Sequence, residues 1–201
     1  MRTKFKAWAE PYLLEHPEAS YKEEEISSLD NFILEIGSGK GEFLIKMANK
    51  FPNETFLGIE KNVTCAGITC KKLVENEISN AKIIFNDVEK LFPLFKDKSV
   101  KNIYLNFSDP WPKKKHHKRR LTNKRFLDSY RRILKDDGLI IFKTDNDELF
   151  EDSLLEFEEN NFHIIEVDRN YDGLDDVDTC TEYEEFFRNE NIAIKRVKVG
   201  L

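Results

Sequence analysis

An apolar strand runs directly into a glycine-rich turn at Asn31-Phe-Ile-Leu-Glu-Ile-Gly-Ser-Gly-Lys-Gly41. Four apolar residues in six, bounded by turn-forming residues, predict a buried strand. Apolar residues then recur at helical spacing to about Lys50, and Pro52 cannot continue that helix. The segment therefore predicts the first strand and helix of an α/β fold.

The rest of the chain repeats this alternation. Further strands are predicted at residues 55–59, 81–85, 100–107, 139–142, 162–167 and 192–199. Helices are predicted at residues 62–77, 123–135 and 147–160, the last capped by Asp147. Shorter helical segments are predicted at 91–95 and 181–187, and a turn at Asp136-Asp-Gly138. Strands alternating with helices predict a doubly wound, mostly parallel seven-stranded sheet with helices on both faces. Because only about 25 residues separate the last two strands, we expect an antiparallel ending.

Composition fits one globular domain. The chain has 201 residues, of which 40% are apolar and 35% are charged, and this length buries a full core. No window approaches the ~20 apolar residues of a membrane-spanning helix, and the N-terminus lacks the apolar region of a signal peptide. Three cysteines imply no disulfide framework. We expect a cytoplasmic protein with an N-terminal extension at residues 1–30 and a single domain at residues 31–201.

Positive charge is concentrated in one stretch of an acidic chain. The formal net charge is −6, yet residues 113–132 hold ten Lys or Arg and one acid. That stretch carries +9, so the remainder carries −15. Most charge runs are solvated surface, but a basic patch on an acidic body also predicts binding to a polyanion such as nucleic acid.

The basic run begins where a predicted strand ends, at Phe107-Ser-Asp-Pro-Trp-Pro-Lys-Lys-Lys-His-His-Lys-Arg-Arg120. Loops at the carboxyl ends of strands in open α/β sheets are where ligands bind. Two prolines in four residues restrict the backbone and predict a stiff loop. Trp111 either stacks on a base or only packs the loop. His116 and His117 have no third ligand nearby, so we predict no metal.

The glycine-rich turn matches neither common phosphate-binding fingerprint. Lys40 is not followed by the Ser or Thr that a P-loop requires, and Glu42 stands where the dinucleotide motif requires glycine. Gly37 and Gly39 let a ligand approach the backbone closely. Glu35 would repel a pyrophosphate and suits an ammonium or sulfonium group. The alternative is a tight turn with incidental glycines.

Acids are predicted at the ends of four consecutive strands, namely Glu35, Glu60, Asp87 and Asp109. Each alone says little, because acids are common at strand ends. Glu60 lies about 20 residues beyond the glycines, where an acid can hold both hydroxyls of a ribose. Asp87 can accept a hydrogen bond from the exocyclic amine of an adenine. Together the four acids predict a pocket for S-adenosylmethionine, whereas NAD fits poorly because of its pyrophosphate.

Three motifs carry a resemblance to a known family. In chain order they are Glu35-Ile-Gly-Ser-Gly-Lys-Gly41, Asp109-Pro-Trp-Pro-Lys-Lys-Lys-His-His-Lys-Arg-Arg120 and Thr181-Glu-Tyr-Glu184. With them the chain resembles the bacterial tRNA (guanine-N7-)-methyltransferases over roughly residues 30–190. These belong to the class I S-adenosylmethionine-dependent methyltransferases, which have a Rossmann-like fold. The first motif is shared across many methyltransferases, and the other two are close to family-specific.

The resemblance implies an activity and a set of site residues. The implied activity transfers a methyl group from S-adenosylmethionine to N7 of a guanine in the variable loop of tRNA, at position 46. The implied catalytic residue is Asp109, and the implied donor-binding residues are Glu35, Gly37, Gly39, Glu60, Asp87 and Asp109. The implied substrate-binding residues are Lys113, Asp145, Thr181, Glu182, Tyr183 and Glu184. We expect contacts to the RNA backbone from Lys114, Lys115, Lys118, Arg119 and Arg120.

The chemistry of the implied reaction needs little from the protein beyond positioning. N7 of guanine has a free lone pair at neutral pH, so no general base is required. Catalysis is then mostly in-line placement of N7 against the sulfonium methyl group. Asp109 and Glu184 are both candidates to accept hydrogen bonds from guanine N1–H and the 2-amino group.

Other functions stay open from the sequence. A methyltransferase acting on adenine N6 or guanine N2 is the nearest, because Asp109-Pro-Trp-Pro112 resembles the acid-Pro-Pro-aromatic loop of such enzymes. A non-catalytic RNA-binding module on the same fold is another, and the donor acids argue against it. An NAD oxidoreductase is disfavoured by the unmatched fingerprint. The sequence does not distinguish a monomer from a homodimer.

Overall fold

Seven strands form one sheet in the computed structural model, which describes residues 3–173 and 176–201. They are β1 Phe32–Ile36, β2 Phe56–Glu60, β3 Ala81–Phe85, β4 Val100–Asn106, β5 Leu134–Thr144, β6 His163–Asp168 and β7 Lys195–Gly200. Their order is β3-β2-β1-β4-β5-β7-β6. Strands β1 to β5 pair in parallel, and β7 runs antiparallel to both β5 and β6. The predicted fold class and its antiparallel ending are confirmed.

Helices cover both faces of this sheet. They are α1 Ala9–Glu15, α2 Glu23–Ile26, α3 Glu42–Lys50, α4 Val63–Glu75, α5 Val88–Leu91, α6 Lys124–Ile133, α7 Asp147–Glu159 and α8 Glu182–Asn189. Successive side chains of a strand point to opposite faces. Ile33 of β1 therefore packs in the core with α3 and α4, whereas Leu34 packs in the core with α6 and α7. Among the described helices, none has the length and apolar character needed to cross a membrane.

The N-terminal residues pack on the edge of the sheet where α4 and β3 lie. Gly67 of α4 lies against α1, and a Cβ atom built on this glycine would come within 2.5 Å of the Ala9 Cβ. Ser20 forms an isolated parallel bridge with Ile83 of β3. The described part of residues 1–30 is therefore held by backbone and side-chain contacts with the α/β body.

Three local predictions were wrong. The predicted turn at residues 136–138 lies inside β5, where the pairing with β4 shifts register between Val100 and Asn102. Gly138 permits this close approach, because a Cβ there would lie 2.5 Å from the Lys101 carbonyl oxygen. Asn146, rather than Asp147, caps α7, and its side chain accepts a hydrogen bond from the Leu149 amide. The basic run, predicted as a loop, is a 3₁₀ helix at Lys114–Arg119.

Candidate active site

The predicted strand-end acids meet at one edge of the sheet. Strands β3, β2, β1 and β4 are neighbours and run parallel, so their carboxyl ends lie side by side. Glu35 lies near the end of β1, Glu60 ends β2, and Asp87 and Asp109 follow β3 and β4. The topology therefore brings together side chains that are far apart in sequence.

Glu35 is buried and incompletely bonded. It is 4% exposed, and its Oε1 accepts a hydrogen bond of 3.1 Å from the Asn106 side-chain amide. Its Oε2 is buried and accepts no hydrogen bond from the described residues. Burial raises the pKa of Glu35 to about 7, although the Asn106 hydrogen bond and the Lys143 charge oppose the shift. A cationic group beside Oε2 would satisfy this oxygen and favour the ionised carboxylate.

The glycine-rich turn leaves space in front of Glu60. Gly37 and Gly39 have φ values of +82° and +57°, and a Cβ on either would meet no atom within 4 Å. The amides of Gly39 and Asn62 donate to the two Glu60 oxygens, at 2.9 and 2.7 Å. Burial raises the pKa of Glu60 although these hydrogen bonds oppose the shift. The carboxylate is thus held beside an open cradle of backbone.

Asp87 already has a structural contact. It caps α5, and its Oδ1 accepts a hydrogen bond of 3.1 Å from the Glu89 amide. The residue is exposed at the end of β3. Its predicted contact with the methyl donor therefore stays a prediction, made by a carboxylate that the fold orients.

Asp109 lies in a loop with two strained residues. Phe107 and Trp111 have φ values of +49° and +43°, which non-glycine residues adopt at a cost of about 1–3 kcal/mol each. Asp109 is exposed between them, and its Oδ2 lies 4.0 Å from the Lys61 ammonium. Strained backbone that a fold maintains often marks a functional site. The strain here is consistent with the predicted role of Asp109.

Trp111 contacts three basic side chains. The Arg119 guanidinium lies 4.9 Å from the centre of its ring, and the Lys61 ammonium lies 5.8 Å away. His116 meets the ring edge-on at 5.7 Å. Of the two sequence-based alternatives for Trp111, these contacts correspond to packing of the loop, and stacking on a base stays a prediction.

The Thr181–Glu184 segment begins α8 at the same edge. Thr181 caps the helix, and its Oγ1 accepts from the Glu184 amide at 2.9 Å, while Glu184 Oε2 accepts from the Thr181 amide at 3.1 Å. Tyr183 is 50% exposed and stacks on Phe107 with ring centres 5.9 Å apart. Glu182 is exposed and lies 4.0 Å from Lys40 of the glycine-rich turn. The segment thus touches both the turn and the Asp109 loop.

Glu184 lies inside the protein rather than on the surface of the site. Its side chain has no exposure, and Oε2 accepts from the Lys143 ammonium at 2.8 Å. Oε1 accepts from Arg188 at 3.1 Å. Burial would raise the pKa of Glu184, but the Lys143 charge and these hydrogen bonds hold it below its ordinary value. Contact between Glu184 and a substrate would require these bonds to open.

Four polar residues of this edge were missed by the sequence analysis, and they are Lys61, Asn106, Lys143 and Asp178. Lys143 had a detectable signal: it lies two residues after Ile141 in an apolar strand, so both residues face the same side of the sheet. Asp178 lies in an acidic loop, where no periodicity singles it out. Its carboxylate is 2.9 Å from the Lys143 ammonium, and burial raises its pKa against the Lys143 charge.

The ten cations of residues 113–132 divide into five that are bonded to acids or carbonyls of the fold and five without an ion pair among the described residues, which we call the free cations. Five of the ten are bonded internally: Arg120, Lys124, Arg125, Arg131 and Arg132. The other five are exposed and form no ion pair with the described residues: Lys113, Lys114, Lys115, Lys118 and Arg119. The structure therefore leaves five of the ten cations without an ion pair to the described residues, and of the bonded five only Arg120 is buried.

Arg120 was predicted to contact RNA, but it is 4% exposed. Its guanidinium donates to the Pro110 carbonyl at 2.7 Å, to Asp152 at 2.5 Å and to Glu148 at 3.3 Å. These bonds tie the Asp109 loop to α7. In this conformation Arg120 positions the loop and is not available to a phosphate.

Two further features bear on the predicted substrate and metal sites. Asp145 follows β5 at the same edge, and its carbonyl accepts from the Lys195 ammonium at 3.0 Å.

His117, Glu148 and Asp152 place three potential ligand atoms within 4.8 Å of one another, in a cavity of about 480 Å³. The Arg120 guanidinium already balances both acids, so we assign no metal to this cluster.

Comparisons with known proteins agree with this geometry. A family model described as "Putative methyltransferase" matches residues 30–197. A tRNA (guanine-N(7)-)-methyltransferase of Staphylococcus haemolyticus is 40% identical over 98% of this chain and 97% of its own length. One from Limosilactobacillus reuteri is 42% identical over 93% of both chains. A solved antibiotic-related methyltransferase shares the fold, with a TM-score of 0.66 at 16% identity over 91% of this chain and 96% of its own.

The raised pKa of Glu35 predicts a pH-dependent stability. Between its ordinary value of 4.5 and about 7, the folded chain holds the Glu35 proton and the unfolded chain does not. The stability that Glu35 contributes therefore falls as pH rises through this window. Relative to wild type, Glu35→Gln should gain on the order of 2–3 kcal/mol in unfolding free energy between pH 5 and pH 8.

Urea unfolding of both proteins at the two pH values measures this difference. Glu158→Gln, a change at an exposed acid of α7, is the matched control and should follow wild type at both pH values. A Glu35→Gln difference that does not change with pH would contradict the buried, largely protonated carboxyl group.

Proposed function

The chain belongs to the tRNA (guanine-N(7)-)-methyltransferase family, and we propose that it transfers the methyl group of S-adenosylmethionine to N7 of a guanine in tRNA. The observation that carries the proposal is the position of Asp109. It is exposed on a strained loop, its Oδ2 lies 4.0 Å from the ammonium of Lys61, the residue after Glu60, and the five free cations follow it closely in the chain. A nucleotide bound to the cations would therefore have its base beside the donor pocket.

The residues of the turn fit S-adenosylmethionine. The open space at Gly37 and Gly39 admits a ligand close to the backbone, and the unpaired Oε2 of Glu35 suits the ammonium of the methionine portion. Glu60, held by two amides, retains acceptor capacity for ribose hydroxyls. Asp87, at the end of the next strand, is our candidate for the adenine amine. When bound, the sulfonium group supplies an electrophilic methyl group.

The remaining chemistry is positioning by the chain. Guanine N7 has its own lone pair, so no residue needs to remove a proton. Asp109 is our candidate to orient the base by accepting hydrogen bonds from N1–H and the 2-amino group. Of the two acids considered, Asp109 is exposed and Glu184 is fully buried with both oxygens bonded. The half-exposed Tyr183, stacked on Phe107, offers an aromatic face at the entrance.

The free cations supply the affinity for RNA. Taking a base out of a folded tRNA costs a few kcal/mol, and contacts to flanking phosphates can offset that cost. We assign these contacts to Lys113, Lys114, Lys115, Lys118 and Arg119. Asp145 and Thr181–Glu184 stay candidate substrate contacts through the surface they share with the Asp109 loop. We place the activity in the cytoplasm, where tRNA is found.

Product analysis tests the proposed reaction. The protein should transfer labelled methyl from S-adenosylmethionine to undermodified tRNA, and the product should undergo strand scission after borohydride and aniline treatment. Only N7-methylguanosine gives this scission. A labelled product that resists it would indicate methylation of an exocyclic amine, and no transfer in the presence of donor binding would indicate a non-catalytic RNA-binding protein.

Asp109→Ala should abolish methyl transfer and leave tRNA binding largely intact, because the phosphate contacts come from other residues. Asp136→Ala is the matched control, since Asp136 is an exposed acid paired with Lys98 at the opposite edge of the sheet. Filter binding and single-turnover methylation measure the two quantities. A folded Asp109→Ala protein with wild-type turnover would contradict the orienting role.

The triple substitution of Lys114, Lys115 and Lys118 by Ala should weaken tRNA binding and reduce its salt dependence. The slope of log K against log salt should fall by roughly 0.7–0.9 for each phosphate that the variant no longer neutralises. The control removes three lysines at the amino edge of the sheet, namely Lys96, Lys98 and Lys135. Equal slopes for the two triple variants would mean that this patch does not contact RNA.

A further inference from the structure

One lysine, Lys143, interacts electrostatically with three carboxylates at the site. The Lys143 ammonium is fully buried and lies 2.9 Å from the Asp178 carboxylate and 2.8 Å from that of Glu184, both of which are also fully buried. Its charge favours the ionised form of the third, Glu35. The rings of Phe43 and Tyr171 also lie near the ammonium, at 5.1 and 5.9 Å.

The sheet places Lys143 on β5, next to the strand β4 that leads into the Asp109 loop and two strands away from Glu35 of β1. Lys143 of β5 pairs with Asn106 of β4, and Asn106 donates to Glu35 of β1, so three adjacent strands form one polar line. The Lys143 carbonyl accepts a hydrogen bond of 2.8 Å from Phe107, where the Asp109 loop begins. Backbone and side chain of this residue therefore join different parts of the site.

Other contacts hold the backbone before α8 but do not replace this charge. Lys50 donates to the Asp178 carbonyl at 2.6 Å, and Lys46 donates to the Cys180 carbonyl at 3.2 Å. The second cation at Glu184 is Arg188 of the same helix, which moves with it. Lys143 is thus the cation that ties the Asp178 and Glu184 carboxylates to the sheet.

Charge balance gives Lys143 a specific function. An ammonium bound at Glu35 favours the ionised form of this carboxyl group. The segment around α8, when packed against Lys143, places two more carboxylates nearby, those of Asp178 and Glu184. The acid groups that face this cluster are Glu35 from β1, Glu60 from β2, and Asp178 and Glu184 from the segment around α8. Breaking a buried ion pair by removing one partner leaves an uncompensated charge. Without Lys143, donor binding and a seated segment would oppose each other.

We propose that Lys143 is a positioning residue that allows methyl-donor binding and the seating of the Thr181–Glu184 substrate segment to occur together. The proposal deepens the proposed function and rests on it. Lys143 touches no substrate itself. It acts through Glu35 on the donor side and through Asp178 and Glu184 on the RNA side.

The test uses S-adenosylhomocysteine, which keeps the ammonium of the donor. In wild type, its addition should leave amide hydrogen exchange in Glu182–Asn189 unchanged or slower. In Lys143→Met, addition of S-adenosylhomocysteine should speed exchange in Glu182–Asn189. The affinity for S-adenosylhomocysteine near pH 7 should also fall several-fold, because Glu35 without the Lys143 charge ionises at higher pH and the pH midpoint of binding rises with it. Lys101→Met is the matched control. Lys101 is also a strand lysine paired with an acid, since its ammonium lies 2.7 Å from the Glu54 carboxylate, but it lies outside the site.

Asp178→Asn provides the test if Lys143→Met does not fold. It removes an anion near Glu35 and leaves Lys143 paired with Glu184, so the pH midpoint of binding should fall, opposite to Lys143→Met. A folded Lys143→Met with wild-type exchange and midpoint would overturn the proposal, as would an unchanged midpoint in Asp178→Asn. These readouts use no RNA, so a chain that binds S-adenosylhomocysteine but methylates another atom would overturn the proposed function alone.

Discussion

The buried charge of Lys143 is the constraint on which the site depends. Two carboxylates from the segment before and within α8 are bonded to it, and both are fully buried. A buried charge without a partner costs several kcal/mol, so the segment is seated only where this ammonium lies. Because β4 and β5 are parallel neighbours, the same lysine lies next to the strand that leads into the Asp109 loop. The proposed donor pocket and the predicted RNA-binding segment therefore both lie next to one buried charge.

The distribution of cations accounts for how an acidic chain would present the proposed surface for RNA. Five of the ten cations between residues 113 and 132 are bonded within the fold, and Arg120 anchors the Asp109 loop to α7. The other five are exposed on one 3₁₀ helix and the residue before it. These free cations lie near the edge where the strand-end acids lie, and such a basic patch concentrates long-range attraction for a polyanion there.

The sequence predicted what local patterns encode. The apolar run of β1, its glycine-rich turn and the alternation that follows were enough for the fold class, and the strand-end acids were enough to predict one edge of the sheet where they lie side by side. The sequence did not show which side chains contact each other in the folded chain. Arg120 and Lys114 look alike in the sequence, but only Arg120 meets Asp152 and Glu148, which follow more than 25 residues later. Likewise, Glu184 resembles an exposed acid until its contact with Lys143 is known.

The central claim is that donor acids and RNA-binding cations meet at one guanine beside Asp109. A structure of the protein with S-adenosylhomocysteine and tRNA tests this most directly. The account predicts a guanine whose N7 faces the sulfur atom, whose N1–H and 2-amino group face Asp109, and whose flanking phosphates lie against Lys113–Arg119. A base whose exocyclic amine faces the sulfur, or phosphates bound on another surface of the chain, would contradict it.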